Sequence, residues 1–246
     1  MKPLIVGNWK MNPDTTKEAV KNFGKISELA TKYKNVETAV CVPPVYLGLL
    51  KGESLLGAQN VFDKDAGAYT GEVSPLMLSD VGVRYVIVGH SERRSLGETN
   101  EDVAKKVVAC IKHGFTPIIC IGESSRDADN YSDFVADQVK KAVSKIPAEA
   151  VPQVVFAYEP IWAIGEHADR PATAEEAKEM KLFVRKVLTD IAGEYAQNVR
   201  IMYGGSTNPD NTEKFLKFGE ADGLLVGGAS LDPKRFGEML EIANNL

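Results

Sequence analysis

Eight short apolar runs, each followed by a segment with helical signals, constrain this chain more than any other feature. They fall at residues 4–8, 38–42, 55–59, 84–89, 116–121, 154–158, 199–203 and 223–226. Strands that are apolar on both faces and alternate with helices belong to a parallel sheet buried on both sides. Eight such units in 246 residues predict a single (β/α)8 barrel, with a doubly wound open sheet as the alternative. No repeat or linker divides the chain, so residues 1–246 read as one catalytic domain.

The helical segments carry start signals. Asp14 or Thr15 precedes a face of Val20, Phe23, Ile26, Ala30 and Tyr33. Ser74-Pro75, Asn208-Pro209 and Asp232-Pro233 each set a capping side chain before a proline at the first helical position. Thr173 and Glu176 form a capping box that opens a helix with Met180, Val184, Val187, Leu188 and Ile191 inward. Inward faces also include Tyr131, Val135, Val139, Val143 and Ile146, and Phe236 with Met239 and Leu240, while the helix after Asn208-Pro209 is expected to run through Phe215 and Phe218.

Hydrophobic content of 44% and charged content of 26% put the chain in the globular class. A net charge of -5 without any dense Lys/Arg block argues against a nucleic-acid surface. Cys41, Cys110 and Cys120 form no C-x-x-C pair, which suits a reduced, intracellular protein. Met1-Lys2-Pro3 leads straight into a strand, leaving no room for a signal peptide, and no apolar run reaches membrane-spanning length. A soluble cytoplasmic protein without a membrane partner is expected.

In such a barrel, function lies at the carboxyl ends of the strands. Those positions hold Asn8 and Lys10, Gln59-Asn60, His90-Ser91-Glu92, Gly122-Glu123, Glu159, Gly204-Gly205-Ser206 and Gly227-Gly228. Asn8 and Lys10 lie two apart, so extended backbone would point both into the barrel mouth. Glu159 ends the sixth strand before Pro160, and a loop with an apolar half, 161–164, and a polar half, 165–170, follows. Closure of that loop with Trp162 and Ile164 over Glu159 would make a shielded base. His90 sits at the rim with polar neighbours, whereas His113, at a helix end, reads as structural. The glycine pairs after the seventh and eighth strands suit an anion cradle, which barrel enzymes commonly build there. Metal-ligand spacing, a P-loop and G-x-S-x-G are absent from the sequence. The inventory fits proton transfer beside a carbonyl on a small phosphorylated substrate, with no cofactor and no metal.

The motifs Gly7-Asn8-Trp9-Lys10-Met11-Asn12, Val88-Gly89-His90-Ser91-Glu92-Arg93-Arg94, Ala157-Tyr158-Glu159-Pro160-Ile161-Trp162-Ala163-Ile164-Gly165, Tyr203-Gly204-Gly205-Ser206 and Val226-Gly227-Gly228-Ala229-Ser230 resemble, in order and over essentially the whole chain, those of the triosephosphate isomerase family. The resemblance implies the single (β/α)8 TIM barrel of that family. It also implies interconversion of dihydroxyacetone phosphate and D-glyceraldehyde 3-phosphate through an enediolate, in glycolysis and gluconeogenesis. Glu159 would be the base, and His90 a neutral imidazole polarising the carbonyl with help from Asn8. Lys10 would stabilise developing charge and the phosphate, and Glu92 would support Lys10 and His90. Gly165, Ser206, Gly227 and Gly228 would hold the phosphate beneath a closing lid. The family is typically a homodimer, and residues 67–75 resemble its interdigitating loop. Thr70 would then reach the partner near Asn8 and Lys10, and Glu72 would pair across the interface with Arg93.

The chain departs from the family pattern after Gly165, where residues 166–172 replace the usual continuation and Pro171 stiffens the second hinge. That departure keeps open an isomerase for another small ketose phosphate. A noncatalytic phosphate-binding protein would have lost one of Asn8, Lys10, His90 or Glu159, and all are present. An aldolase using Lys10 as a Schiff base is disfavoured, because nothing near Lys10 in sequence suggests an apolar pocket. Cys120 matches a cysteine the family keeps near the base and reads as packing rather than as a nucleophile.

Overall fold

A computed structural model describes residues 1–51, 55–126, 131–164 and 170–246. The strands are β1 Leu4–Asn8, β2 Glu37–Val42, β3 Leu55–Ala58, β4 Tyr85–Val88, β5 Thr116–Ile121, β6 Val155–Tyr158, β7 Arg200–Tyr203 and β8 Gly223–Val226. Each pairs in parallel with the next, and β8 closes on β1 with Leu4 opposite Gly223 and Gly7 opposite Val226. The expected (β/α)8 barrel is thus observed, and the open sheet is excluded. Around it lie α1 Thr16–Lys32, α2 Pro44–Leu47, α3 Pro75–Asp80, α4 Ser91–Ser95, α5 Asn100–Lys112, α6 Tyr131–Val143, α7 Ala174–Ala192, α8 Pro209–Glu213 and α9 Pro233–Asn244.

Strand residues alternate between two cores. Leu4 and Val6 of β1, Tyr85 and Ile87 of β4, Ile118 and Cys120 of β5, Val155 and Ala157 of β6, Met202 of β7 and Leu225 of β8 fill the barrel interior. Their neighbours, such as Ile5, Val86, Ile119, Phe156, Ile201 and Leu224, pack outward under the helices with Phe23, Val107, Val139, Val184 and Phe236. This alternation follows from the period of two along a strand. The helices start where the sequence signals them. Thr15, not Asp14, caps α1; Ser74 caps α3; Thr173 and Glu176 bond reciprocally at α7. A further reciprocal box, Thr99 with Asp102, opens α5.

Val20 and Ile191, expected inward, are exposed at the edges of their apolar stripes. Phe218 is exposed because α8 ends at Glu213 and gives way to a π-helical turn, Lys214–Phe218, which moves it off the face that buries Phe215. Helix α6 stops at Val143, so Ile146 packs from the following turn and is only partly buried. The third strand ends at Ala58, leaving Gln59 free to bond elsewhere.

Close packing at the strand exits is tightest where β5 leaves beside β6. A Cβ on Gly122 would lie 1.9 Å from the Glu159 carbonyl oxygen. Gly122→Ala should therefore cost about 1–3 kcal/mol in urea unfolding, as overpacking does. Gly24→Ala, inside α1 with nothing within 4 Å of the new methyl, should instead gain about 0.5–1 kcal/mol. Equal effects at the two sites would contradict this packing account.

Candidate active site

A cavity of about 330 Å³ opens at the carboxyl ends of the strands, lined by Asn8, Lys10, His90, Glu159, Ile164 and the turns 204–208 and 227–229. Asn8 and Glu159 continue the interior parity of β1 and β6, so both enter the mouth from regular strand geometry. His90 does not. It lies one residue out of phase with Tyr85 and Ile87, and Gly89, at φ 70°, turns the chain to bring it in. A side chain on Gly89 would also meet Arg94 and Val103 at 2.8 Å. The Gly89 N–H donates to the buried Glu98 carboxylate at 2.8 Å, and the Arg94 Nε donates to the Gly89 carbonyl at 2.7 Å.

His90 is buried and caps the short helix α4. The Glu92 backbone N–H donates to His90 Nδ1 at 3.2 Å, so that nitrogen acts as an acceptor and the ring proton sits on Nε2. Nε2 faces Glu159 Oε1 at 3.4 Å. The Ser91 N–H donates to Glu159 Oε2, also at 3.4 Å. Both contacts are long for hydrogen bonds, so the carboxylate is steered rather than locked. Cys120 packs against Glu159; burial, reinforced by that carboxylate, pushes its thiol well above the usual range. A buried thiol of that kind is not a nucleophile. His113, in contrast, pairs with Asp65 at 2.8 Å away from the cavity and is structural.

Lys10 reaches the cavity by a different route from the expected one. Strand β1 stops at Asn8, and Lys10 adopts φ 51°, left-handed rather than extended. Such a conformation costs a non-glycine residue about 1–3 kcal/mol. Two side chains clamp it: Asn8 Oδ1 accepts the Lys10 N–H at 3.0 Å, and Gln59 Nε2 donates to the Lys10 carbonyl at 2.8 Å. Lys10 Nζ pairs with Glu92 Oε1 at 2.5 Å, and Glu92 Oε2 lies 3.7 Å from His90 Nδ1. Glu92 thus sits against both Lys10 and His90.

Ser206, Gly227 and Gly228 also line the cavity, with the Lys10 side chain beside Gly227, where a Cβ would lie 3.7 Å from Lys10 Cε. A Cβ on Gly228 would meet nothing within 4 Å, so the bare backbone there leaves space for a ligand and is not a packing requirement. The turn is tied to β1 because Trp9 Nε1 donates to the Ser230 carbonyl at 3.1 Å and Ser230 Oγ donates to the Gly227 carbonyl at 2.7 Å. Gly165 lies outside the described residues, as does the altered lid segment up to residue 169.

Ile164 lines the cavity, whereas Trp162 is not among its described lining residues. The Trp162 Nε1 donates to Glu123 Oε1 at 2.9 Å. Tyr158 OH donates to the same oxygen at 2.7 Å, and Arg126 Nε at 3.2 Å. Arg170 stacks over the Trp162 ring at 4.5 Å and Arg126 approaches it at 5.7 Å. Arg126 and Arg170, which meet at Trp162, and Arg235, which lines the cavity, belong to no motif. Glu123 stood at a strand exit in the sequence but without an assigned role.

Thr70 and Glu72 are exposed in the loop between β3 and α3, whose ends are tied by the Phe62 N–H donating to the Val73 carbonyl at 2.8 Å. Arg93 reaches Glu98 of its own chain at 3.4 Å. Among the described residues no group of three or more metal-ligating side chains occurs, and no helix is long and apolar enough to cross a membrane.

A closed barrel that gathers a carboxylate, an imidazole, an ammonium group and a glycine-lined anion pocket at its strand ends has the apparatus of an acid/base enzyme for a small anionic substrate. Compared with known protein families, residues 3–243 match the one described as triosephosphate isomerase. The chain belongs to that family and is an isomerase.

The ion pair at the start of α7 carries a pH signature. Arg170 forks onto Glu176 at 2.9 and 2.5 Å, and this bond, with the Thr173 backbone, holds the Glu176 carboxyl down at about 2 from its ordinary 4.5. A depressed folded value contributes stability in full above about pH 4.5 and loses it as pH falls toward 2. The gap in thermal midpoint between wild type and Arg170→Gln should narrow through that window. A gap that stays constant across it would show that the ion pair does not stabilise the fold.

Proposed function

We propose that this enzyme interconverts dihydroxyacetone phosphate and D-glyceraldehyde 3-phosphate by proton transfer through an enediolate. The carrying observation is the shared cavity in which Glu159 and His90 Nε2 meet at 3.4 Å, with Lys10 and the Gly227-Gly228 turn on its walls. Glu159 removes a proton from the carbon beside the carbonyl and returns it to the neighbouring carbon. His90, whose Nε2 carries the ring proton, donates to the carbonyl oxygen as negative charge develops on it. These acid/base roles are those of the triosephosphate isomerase family.

Lys10 and Asn8 stabilise the developing oxyanion, and Glu92 positions Lys10 and His90. The phosphate rests against Ser206, Gly227, Gly228 and Gly165, and the lid 161–170 closes to keep water from the intermediate. The whole chain, 1–246, works as one catalytic domain in the cytoplasm, serving glycolysis and gluconeogenesis. Replacing Glu159 by Asp withdraws the carboxylate by one carbon–carbon bond while keeping its chemistry. Because small misplacements of a reacting group cost about a hundredfold, turnover of glyceraldehyde 3-phosphate should fall by that order. A slow wild type, indifferent to the change, would refute the assignment. Faster turnover of a four-carbon ketose phosphate than of the triose would select the longer substrate.

The working form is a homodimer. An exposed apolar groove supports this reading: Met11 at 92% and Leu96 at 79% exposure line it with Pro43 and Pro44, directly behind Lys10 and His90. The loop carrying Thr70 and Glu72 enters the partner there, with Glu72 meeting Arg93 across the interface, so each site is completed by the other chain. Deleting the tip of that loop should give a weakly active monomer in sedimentation velocity. A deletion variant that remains a fully active dimer would remove the loop from the interface.

A further inference from the structure

Arg235 is a cation of the cavity wall that none of the family-like motifs of this sequence contains. It stands in the first turn of α9, after the capping Asp232 and the helix-opening Pro233, and its side chain lines the same cavity as Ser206, Gly228 and Glu159. Arg235 is exposed, and among the described residues it makes no hydrogen bond or ion pair. The nearby Asp232 carboxylate is occupied by the Lys234 N–H at 2.9 Å.

Charge balance gives this guanidinium its consequence. Lys10 and Glu159 are the other charged side chains lining the cavity, and they offset one another. Lys10 is further committed to Glu92 at 2.5 Å. Without Arg235 the charged side chains among the described lining residues sum to zero, yet a phosphate monoester brings about -1.5 to -2 charges near neutral pH. With Arg235 that sum becomes positive. A guanidinium without a partner among the described residues also has the fork geometry that grips phosphate oxygens in pairs.

We infer that Arg235 is a phosphate-binding and specificity residue of this isomerase, gripping the dianionic end of the substrate from the start of α9. This rests on the functional reading above, and the test separates the two. Binding of inorganic phosphate would be measured by calorimetry on the full chain for wild type, Arg235→Gln, Arg235→Lys and Lys234→Gln. The Lys234 variant removes an equal charge one residue away, from a side chain that does not line the cavity. Loss of a charge-assisted bond should weaken phosphate about tenfold or more in Arg235→Gln. Arg235→Lys should fall between, and Lys234→Gln should match wild type.

On triose phosphate, Arg235→Gln should raise KM more than it lowers kcat, and the salt dependence of kcat/KM should flatten. Wild-type affinity for phosphate in Arg235→Gln, or an equal loss in Lys234→Gln, would overturn the inference while leaving the isomerase reading intact. Failure of the wild type itself to bind phosphate would overturn both.

Discussion

Two-sided burial of a closed parallel sheet governs where this molecule can carry polar chemistry. Strands β1, β2 and β4 to β8 pack one face into the barrel interior and the other under the helices, and the pairing of β8 with β1 leaves no sheet edge. A polar side chain midway along such a strand would lose water without gaining a partner. The strand ends escape that penalty, and there the period of two still applies. Asn8 and Glu159 are the next interior positions after Val6 and Ala157. His90 is on the wrong phase and needs the positive φ of Gly89, a turn that Glu98 and Arg94 hold from both sides.

The same logic explains where strain is tolerated. Lys10 is left-handed, and the two hydrogen bonds that flank it, from Asn8 and Gln59, are each worth about 0.5–1.5 kcal/mol. Together they are of the size of the backbone cost, about 1–3 kcal/mol. Asn8 therefore has a structural duty besides facing the cavity. Arg94, deep behind the site, also donates to the Cys120 carbonyl at 3.3 Å and so braces the exit of β5 against that of β4. Its burial pulls the guanidinium below its ordinary value, opposed by Glu98 and Glu159 nearby.

The barrel was legible because its cause is a repeating pattern: eight apolar runs, proline-marked helix starts and the Thr173–Glu176 box are all local signals. Groups sited by strand phase, such as Asn8 and Glu159, were legible for the same reason. Lys10 was located rightly by a wrong route, since extended backbone was assumed where the chain turns left-handed. Val20 and Ile191 fall at stripe edges, and the helix expected through Phe218 gives way to a π-turn after Glu213, because both features depend on tertiary packing and not on spacing. Arg126, Arg170 and Arg235 come from three separate segments and have no local signature. The fold, not a spacing rule, sets Arg126 and Arg170 around Trp162 and Arg235 on the cavity wall.

The orientation of Trp162 bears on how binding is coupled to closure. Its indole is held by Glu123 and covered by Arg170, while Arg170 is fastened to Glu176 at the second position of the capping box that starts α7. Moving this ring over Glu159 means giving up a hydrogen bond and a cation–π contact, so the opposing energy must come from the ligand. The reacting carbons offer little of it, because the contacts that matter there form only in the transition state. The non-reacting anionic end is the available source. The Ser206 N–H, in the turn after β7, donates to the Ala163 carbonyl at a long 3.4 Å. In the proposed reaction an anion that took this N–H would remove a tie on residues 161–164, and one weak backbone hydrogen bond would then link recognition of charge to their movement.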